Sequence, residues 1–135
     1  MRLKNLLSIL LLLPLMCCCQ EDDIEVIFVK SGTWNVGNFY TGGDWNKYDN
    51  DKARAKYTKE EDIRALNALT VTFLEDGTLQ GRLANNATLS GRWQANGEKR
   101  TISITNLNTS NTVTGKSKEL VEALENAAHY KGDKR

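Results

Sequence analysis

The chain has 135 residues, 40% hydrophobic, 26% charged and 7% aromatic, and its 18 basic and 17 acidic side chains leave a net charge of +1. That balance fits one globular domain and excludes a collagen, a coiled coil or a disordered tail. Near-neutrality also leaves no field to gather nucleic acid. The single Pro and all three Cys fall within the first 19 residues, so downstream of them the chain has no thiol and one imidazole, His129.

The amino end reads as a targeting segment. Arg2 and Lys4 form a short positive region, and Leu6 to Met16 is almost entirely apolar, interrupted by Ser8 and Pro14. The uncharged run from Asn5 to Cys19 covers 15 residues, short of the ~20 that a membrane-spanning helix requires. It suits a secretory apolar region that Pro14 brings to an end. The stretch Leu15-Met16-Cys17-Cys18 resembles the lipobox of bacterial lipoproteins, with Leu three positions before the acylated Cys and a small residue just before it. Cys18 fits that pattern best; Cys19 follows, and Cys17 ranks last because bulky Met16 precedes it. Two or more acyl chains on such a cysteine anchor a protein stably. A disulfide within the cluster is disfavoured by the geometry of adjacent residues. Gln20-Glu21-Asp22-Asp23 resembles the export tag of surface lipoproteins in the Bacteroidota, in register when read from Cys19. Its plain alternative is an acidic spacer that holds the domain off an anionic membrane. The expected location is therefore the outer membrane with the domain facing outward, the alternative being a periplasm-facing anchor.

Beyond this leader the pattern predicts strands, a long polar insertion and a closing helix. Ile24 to Val29 is rich in β-formers, and Thr33 to Val36 continues as a strand after Gly32. From Tyr40 to Glu61 the composition shifts to Gly, Asp, Asn, Lys and Tyr, which predicts a loop leading into a short helix over Lys59 to Ala68. Leu69 to Phe73 alternates and ends at Glu75-Asp76-Gly77, and Leu79 to Leu83 returns from that turn. Leu89 to Gln94 stops at Ala95-Asn96-Gly97, and Arg100 to Thr105 completes the meander with Ile102 and Ile104 on one face. Ser117 predicts a helix start; Leu120, Val121, Leu124, Ala127 and Ala128 share a face, and Lys131-Gly132 suits its end. The fold class expected is α+β: a small twisted antiparallel sheet of about six strands, partly barrel-like, packed with one C-terminal helix.

The span from Gly32 to Gly132 resembles the META-domain family of small extracytoplasmic bacterial domains. The resemblance rests on the order of weak motifs: Gly32-Thr33-Trp34, then Phe73, Asp76-Gly77 and Gly81, then Ala84-Asn85-Asn86 and Gly91-Arg92-Trp93. Ile102, Ile104, the Thr-rich stretch Thr109 to Thr114 and the Leu-bearing helix follow. Both cysteines of the family pattern are missing, the polar stretch from Gly42 to Ala65 is long, and the family's final Leu-x-Leu strand has no counterpart before Arg135. A lipocalin-like reading competes but needs about eight strands around a hollow interior. The layout expected is a leader with lipobox at 1–18, an acidic spacer and first strand at 19–31, and a META-like domain at 32–135 with its polar insertion at 40–65.

Candidate chemistry is sparse. His129 has only Ala128 and Tyr130 beside it in sequence, so no partner for general-base work is in view. Zinc and Cys–His chemistry are disfavoured for want of ligands. The oxygen-rich run from Asp44 to Asp51 lacks the Gly and terminal Glu of a calcium loop. No metal and no cofactor are expected. Aromatic residues cluster at Tyr40, Trp45, Tyr48 and Tyr57, and loop aromatics often make contacts with glycan or protein. Trp34 and Trp93 are expected to fill the core. The META resemblance implies a lipid-anchored, non-enzymatic envelope domain with a structural or partner-binding role. The alternative is a lipocalin-like module that captures a glycan or small apolar molecule through the aromatic loop at 40–57. Expected partners are the membrane, through the N-terminal lipid on Cys18 or Cys19, and a protein or glycan of the envelope; nucleic acid is not among them.

Overall fold

The computed structural model describes residues 24–44 and 51–131. The leader and its cysteines therefore lie outside the described residues.

The first described element corrects the sequence expectation. Glu25–Val29 is a π-helix and not a strand. A strand would send Ile27 and Phe28 to opposite faces, yet both are buried, at 1% and 4% exposure. The wide turn sets both into the same core, and burial overrides the β-preference of the segment. It is closed by Lys30 N–H donating to the Glu25 carbonyl at 2.8 Å and by the Ser31 hydroxyl donating to the Val26 carbonyl at 2.8 Å.

Seven strands follow: β1 (Thr33–Asn35), β2 (Tyr40–Thr41), β3 (Arg54–Ala55), β4 (Thr70–Phe73), β5 (Thr78–Arg82), β6 (Thr88–Asn96) and β7 (Thr101–Thr109). Five form one antiparallel sheet in the order β1-β4-β5-β6-β7, while β2 and β3 pair as a separate ribbon. The sheet is open, with β1 and β7 at its edges, and is not a closed barrel. The predicted short helix forms as α1 (Glu60–Asn67), its first turn carrying Glu60, Glu61 and Asp62 against the positive end of the helix dipole. Leu66 on α1 is fully buried.

Each strand alternates, and one parity makes the core. Val71 and Phe73 on β4, Leu79 on β5, Leu89 on β6, and Ile102 and Ile104 on β7 are all buried. Phe28 lies among the aromatic rings on this face. Its centroid is 4.7 Å from Tyr130, 5.1 Å from Phe73, 5.3 Å from Trp93 and 6.1 Å from Trp34. Trp93 belongs to the core as expected, its indole N–H donating to the Leu74 carbonyl at 2.9 Å. Trp34 is less covered than expected, at 37% exposure on edge strand β1.

Two local features mark the strand pairings. The β4–β5 turn is held by the Asp76 carboxylate, which accepts from the Thr78 N–H at 3.0 Å and its hydroxyl at 2.6 Å, with Gly77 at φ +88°. These two donors hold the Asp76 carboxyl below its usual pKa. Between β6 and β7 the register shifts after Ser90↔Asn108 to Arg92↔Thr105. Gly91 therefore faces two residues of β7, Asn106 and Leu107. Asn106 takes φ 55°, a left-handed value that asparagine tolerates better than most residues. A Cβ on Gly91 would meet Leu107 Cδ2 at 2.8 Å and the Thr105 carbonyl oxygen at 3.1 Å.

The second helix, α2 (Gly115–Glu125), begins before Ser117 and ends well before Gly132. Thr114, not Ser117, is its N-cap residue. Ser117 is buried within the helix, where its hydroxyl accepts the Ala84 N–H at 3.1 Å and ties α2 to the β5–β6 connection. Asn126 ends the helix by donating from its side-chain amide to the Glu122 carbonyl at 2.8 Å. The chain then returns to the sheet: Ile102 N–H donates to Ala128, Tyr130 N–H donates to Arg100, and His129 bridges Thr101. Ala128 and His129 thus leave the predicted helix for the edge of β7.

Two substitutions test this arrangement by chemical denaturation. Phe28→Ala should cost about 3–5 kcal/mol, and Gly81→Ala about 1–3 kcal/mol, because its Cβ would meet the backbone carbonyl oxygen of Thr70 at 2.7 Å. A loss under ~0.5 kcal/mol for either, a size usual for surface substitutions, would contradict the packing described.

Candidate functional site

The second parity of the strands faces away from the core. Thr33 and Asn35 on β1, Thr70 and Thr72 on β4, and Thr78, Gln80 and Arg82 on β5 line up there. Thr88, Ser90, Arg92, Gln94 and Asn96 on β6 and Thr101, Ser103, Thr105 and Asn108 on β7 complete the face. Every one is a hydroxyl, an amide or an arginine. A simple solvated sheet face in a chain with 26% charged residues would mix lysines and carboxylates, and this face has neither.

A groove of about 730 Å³ runs over β1, β4, β5 and β6, with Asn67 and Ala68 at the end of α1 contributing to its lining. Its lining includes Thr33, Asn35, Thr70, Thr72, Gln80, Arg82, Thr88 and Ser90. Cross-strand bonds order the β1 side: the hydroxyls of Thr33 and Thr72 lie 3.0 Å apart, and the Asn35 amide donates to the Asn67 carbonyl at 2.7 Å. Among the described residues Arg82 is the only charged one lining the groove, and no carboxylate of them pairs with it.

The aromatic candidates are placed differently. Tyr40 stands 64% exposed on the β2–β3 ribbon. Trp45 and Tyr48 lie outside the described residues. Tyr57 is half-buried and its hydroxyl donates to Glu119 on α2. Lys56 also donates to Glu119, and Lys116 Nζ sits 4.8 Å from the Tyr57 ring centre while pairing with Asp62 on α1 at 3.0 Å. Asn38 secures the ribbon, donating to the Tyr57 carbonyl at 2.7 Å and accepting the Phe39 N–H at 2.8 Å. Tyr57 is thus one member of a polar joint that unites the ribbon, α1 and α2. The structure does not bring its hydroxyl out as an open contact.

Electrostatics follow this joint. Hydrogen bonds from Lys56 and Tyr57 hold the Glu119 carboxyl below its usual pKa. The same carboxylate raises Tyr57 and Lys56, and Asp62 raises Lys116. Among the described residues no group of three His, Cys, Asp or Glu could hold a metal ion, and no helix is long and apolar enough to cross a membrane.

The polar groove escaped the reading of the sequence, although its signal was present. Thr-x-Thr on β4, Thr-x-Gln-x-Arg on β5, Thr-x-Ser-x-Arg-x-Gln-x-Asn on β6 and Thr-x-Ser-x-Thr on β7 are the alternate positions of the same strands that supply the core.

Fold and site together define an open α+β sheet domain, packed on one face and carrying a polar groove on the other. The chain belongs to the DUF4847 family, a domain of unknown function whose profile matches residues 19–135. It is similar to a DUF4847 family protein from Bacteroides vulgatus ATCC 8482, known from a crystal structure at 1.00 Å resolution, with 34% identity and a TM-score of 0.68. That likeness covers 82% of this chain and 83% of the other. No curated protein matches the chain.

The depressed Glu119 carboxyl stabilises the fold above the ordinary glutamate range, and that contribution is lost as pH falls through its folded pKa. Glu119→Gln should therefore lower Tm by a few degrees near neutrality, on the order expected for a partly exposed ion pair. The gap from wild type should close below about pH 4, under the usual glutamate value. A gap that is constant with pH, or absent at neutrality, would contradict the joint.

Proposed function

We propose that this protein is a lipid-anchored, non-enzymatic binding domain of the bacterial cell envelope, which holds its partner on the open polar face of the sheet. The observation that carries this reading is the groove over β1, β4, β5 and β6, with its unpaired Arg82 and its lining of hydroxyls and amides. A face of that composition can both donate and accept hydrogen bonds without moving backbone. It offers no nucleophile–base pair of the kind that acyl or phosphoryl transfer demands.

The anchor rests on sequence. Cys18 or Cys19 would carry the acyl chains, with the acidic run after them favouring outward display and a periplasm-facing anchor as the other arrangement. A family match that starts at residue 19 supports a processed leader ahead of the domain. The META-like motif order implies a structural or partner-binding role in envelope maintenance or stress tolerance. A second reading keeps Tyr40 and its ribbon as the contact, favoured by the 64% exposure of that ring.

Two measurements test the proposal. Mass spectrometry of the native N-terminus should find acyl mass on Cys18 or Cys19; an unmodified terminus beyond Cys19 would remove the anchor. A photoreactive diazirine residue placed at Gln80 in cells should give adducts that the same residue at Glu122, on exposed α2, does not. Equal adducts at both positions, or none at Gln80, would overturn the binding face.

A further inference from the structure

From the groove's chemistry we infer that its ligand is an extended, carboxylate-bearing glycan, a polymer of uronic acids, seated across β4, β5 and β6 with a carboxylate on Arg82. This rests on the reading of the polar face as the binding face and adds the ligand class. The composition of the groove decides among the kinds of partner.

A protein partner would want aromatic or aliphatic anchors at the centre of its footprint. The outward positions of the five strands present none. A lipid surface would require an apolar face. A single-stranded nucleic acid would want aromatic side chains on which its bases could stack, and the outward positions carry none. A polyhydroxylated chain asks for what is present: rows of groups that act as donor and acceptor in turn. Thr72, Gln80 and Ser90 are aligned directly across three strands, and Thr70, Arg82 and Thr88 form the neighbouring row. Strands are spaced by about 4.8 Å and alternate residues by about 6.8 Å, so the two rows offer hydrogen-bonding groups at the scale of successive sugar rings.

Arg82 supplies the selection. Its fork suits a carboxylate bidentately. Among the described residues no acidic side chain lines the groove to compete for it or to repel an anionic ligand. Arg92, the other cation on this face, stands beside the β4–β5 turn, where a Cβ on Gly77 would meet its guanidinium at 3.3 Å. It lies close enough to Asp76 to help lower that carboxyl, which leaves Arg82 as the cation open to a ligand. With no aromatic platform on the face, a neutral glycan would have neither a ring to stack on nor a charge to meet.

The test is calorimetric titration of the full chain, in detergent micelles, with hexagalacturonate, maltohexaose and inorganic polyphosphate. Binding of hexagalacturonate alone is expected, weakened at least tenfold by Arg82→Gln and severalfold by Gln80→Ala. Arg64→Gln, which removes an exposed arginine on α1 paired with Glu60, should leave affinity unchanged. Unchanged melting temperatures would show that all three variants are folded. Equal binding of polyphosphate, equal binding of maltohexaose, or undiminished affinity in Arg82→Gln would overturn the inference. So would no binding to hexagalacturonate, and adducts still forming at Gln80 in cells would then mark the ligand class, and not the face, as the error.

Discussion

The structure depends on covering one face of a five-stranded sheet with very little chain. The two helices do not suffice: α1 contributes Leu66 and α2 contributes Leu120 as buried side chains. The remaining gap is filled by Phe28, delivered from the π-helix ahead of the first strand and surrounded by Trp34, Phe73, Trp93 and Tyr130. Burying one such ring contributes about 1.5–3 kcal/mol, a sizeable share of the 5–15 kcal/mol that separates folded from unfolded domains. The constraint reaches backward in the chain. An anchor at Cys18 or Cys19 would place the tether only a few residues from this plug, so the membrane end of the domain and the core would be neighbours in sequence.

The apolar parity of the strands carries the core, and the opposite parity is left as a polar face lined in part by the end of α1. Packing and the polar groove are therefore written into the same strands, one parity each. The charged joint of Lys56, Tyr57, Asp62, Lys116 and Glu119 serves another purpose. It pins the ribbon and the two helices to one another.

Much of this was legible in the sequence, for identifiable reasons. Antiparallel strands expected at 69–73, 79–83, 89–94 and 100–105 were visible because Val71, Phe73, Leu79, Leu89, Ile102 and Ile104 keep a period of two between strong turn residues, although β6 runs on to Asn96 and β7 to Thr109. The short helix before β4 was expected over 59–68, where the polar stretch ends, and forms over Glu60–Asn67. The π-helix was not, since its run of Ile, Val and Phe has the composition of a strand and only tertiary burial sets both Ile27 and Phe28 inward. Ser117 looked like a helix cap because its role, accepting the Ala84 N–H, spans 33 residues of sequence. Among the site residues, exposed aromatics drew attention to Tyr40 and Tyr57. The groove was missed because threonine, serine and glutamine at alternate positions read as ordinary solvent-facing residues until the strands are paired.

The proposed binding surface is the sheet face opposite the Phe28 core. Amide chemical-shift mapping of the isotopically labelled chain during titration with hexagalacturonate tests it directly. Shifts concentrated at Thr72, Gln80, Arg82 and Ser90 are expected, with Tyr40 and the ribbon unmoved. Shifts centred on Tyr40 and Tyr57, or spread over α2, would contradict it.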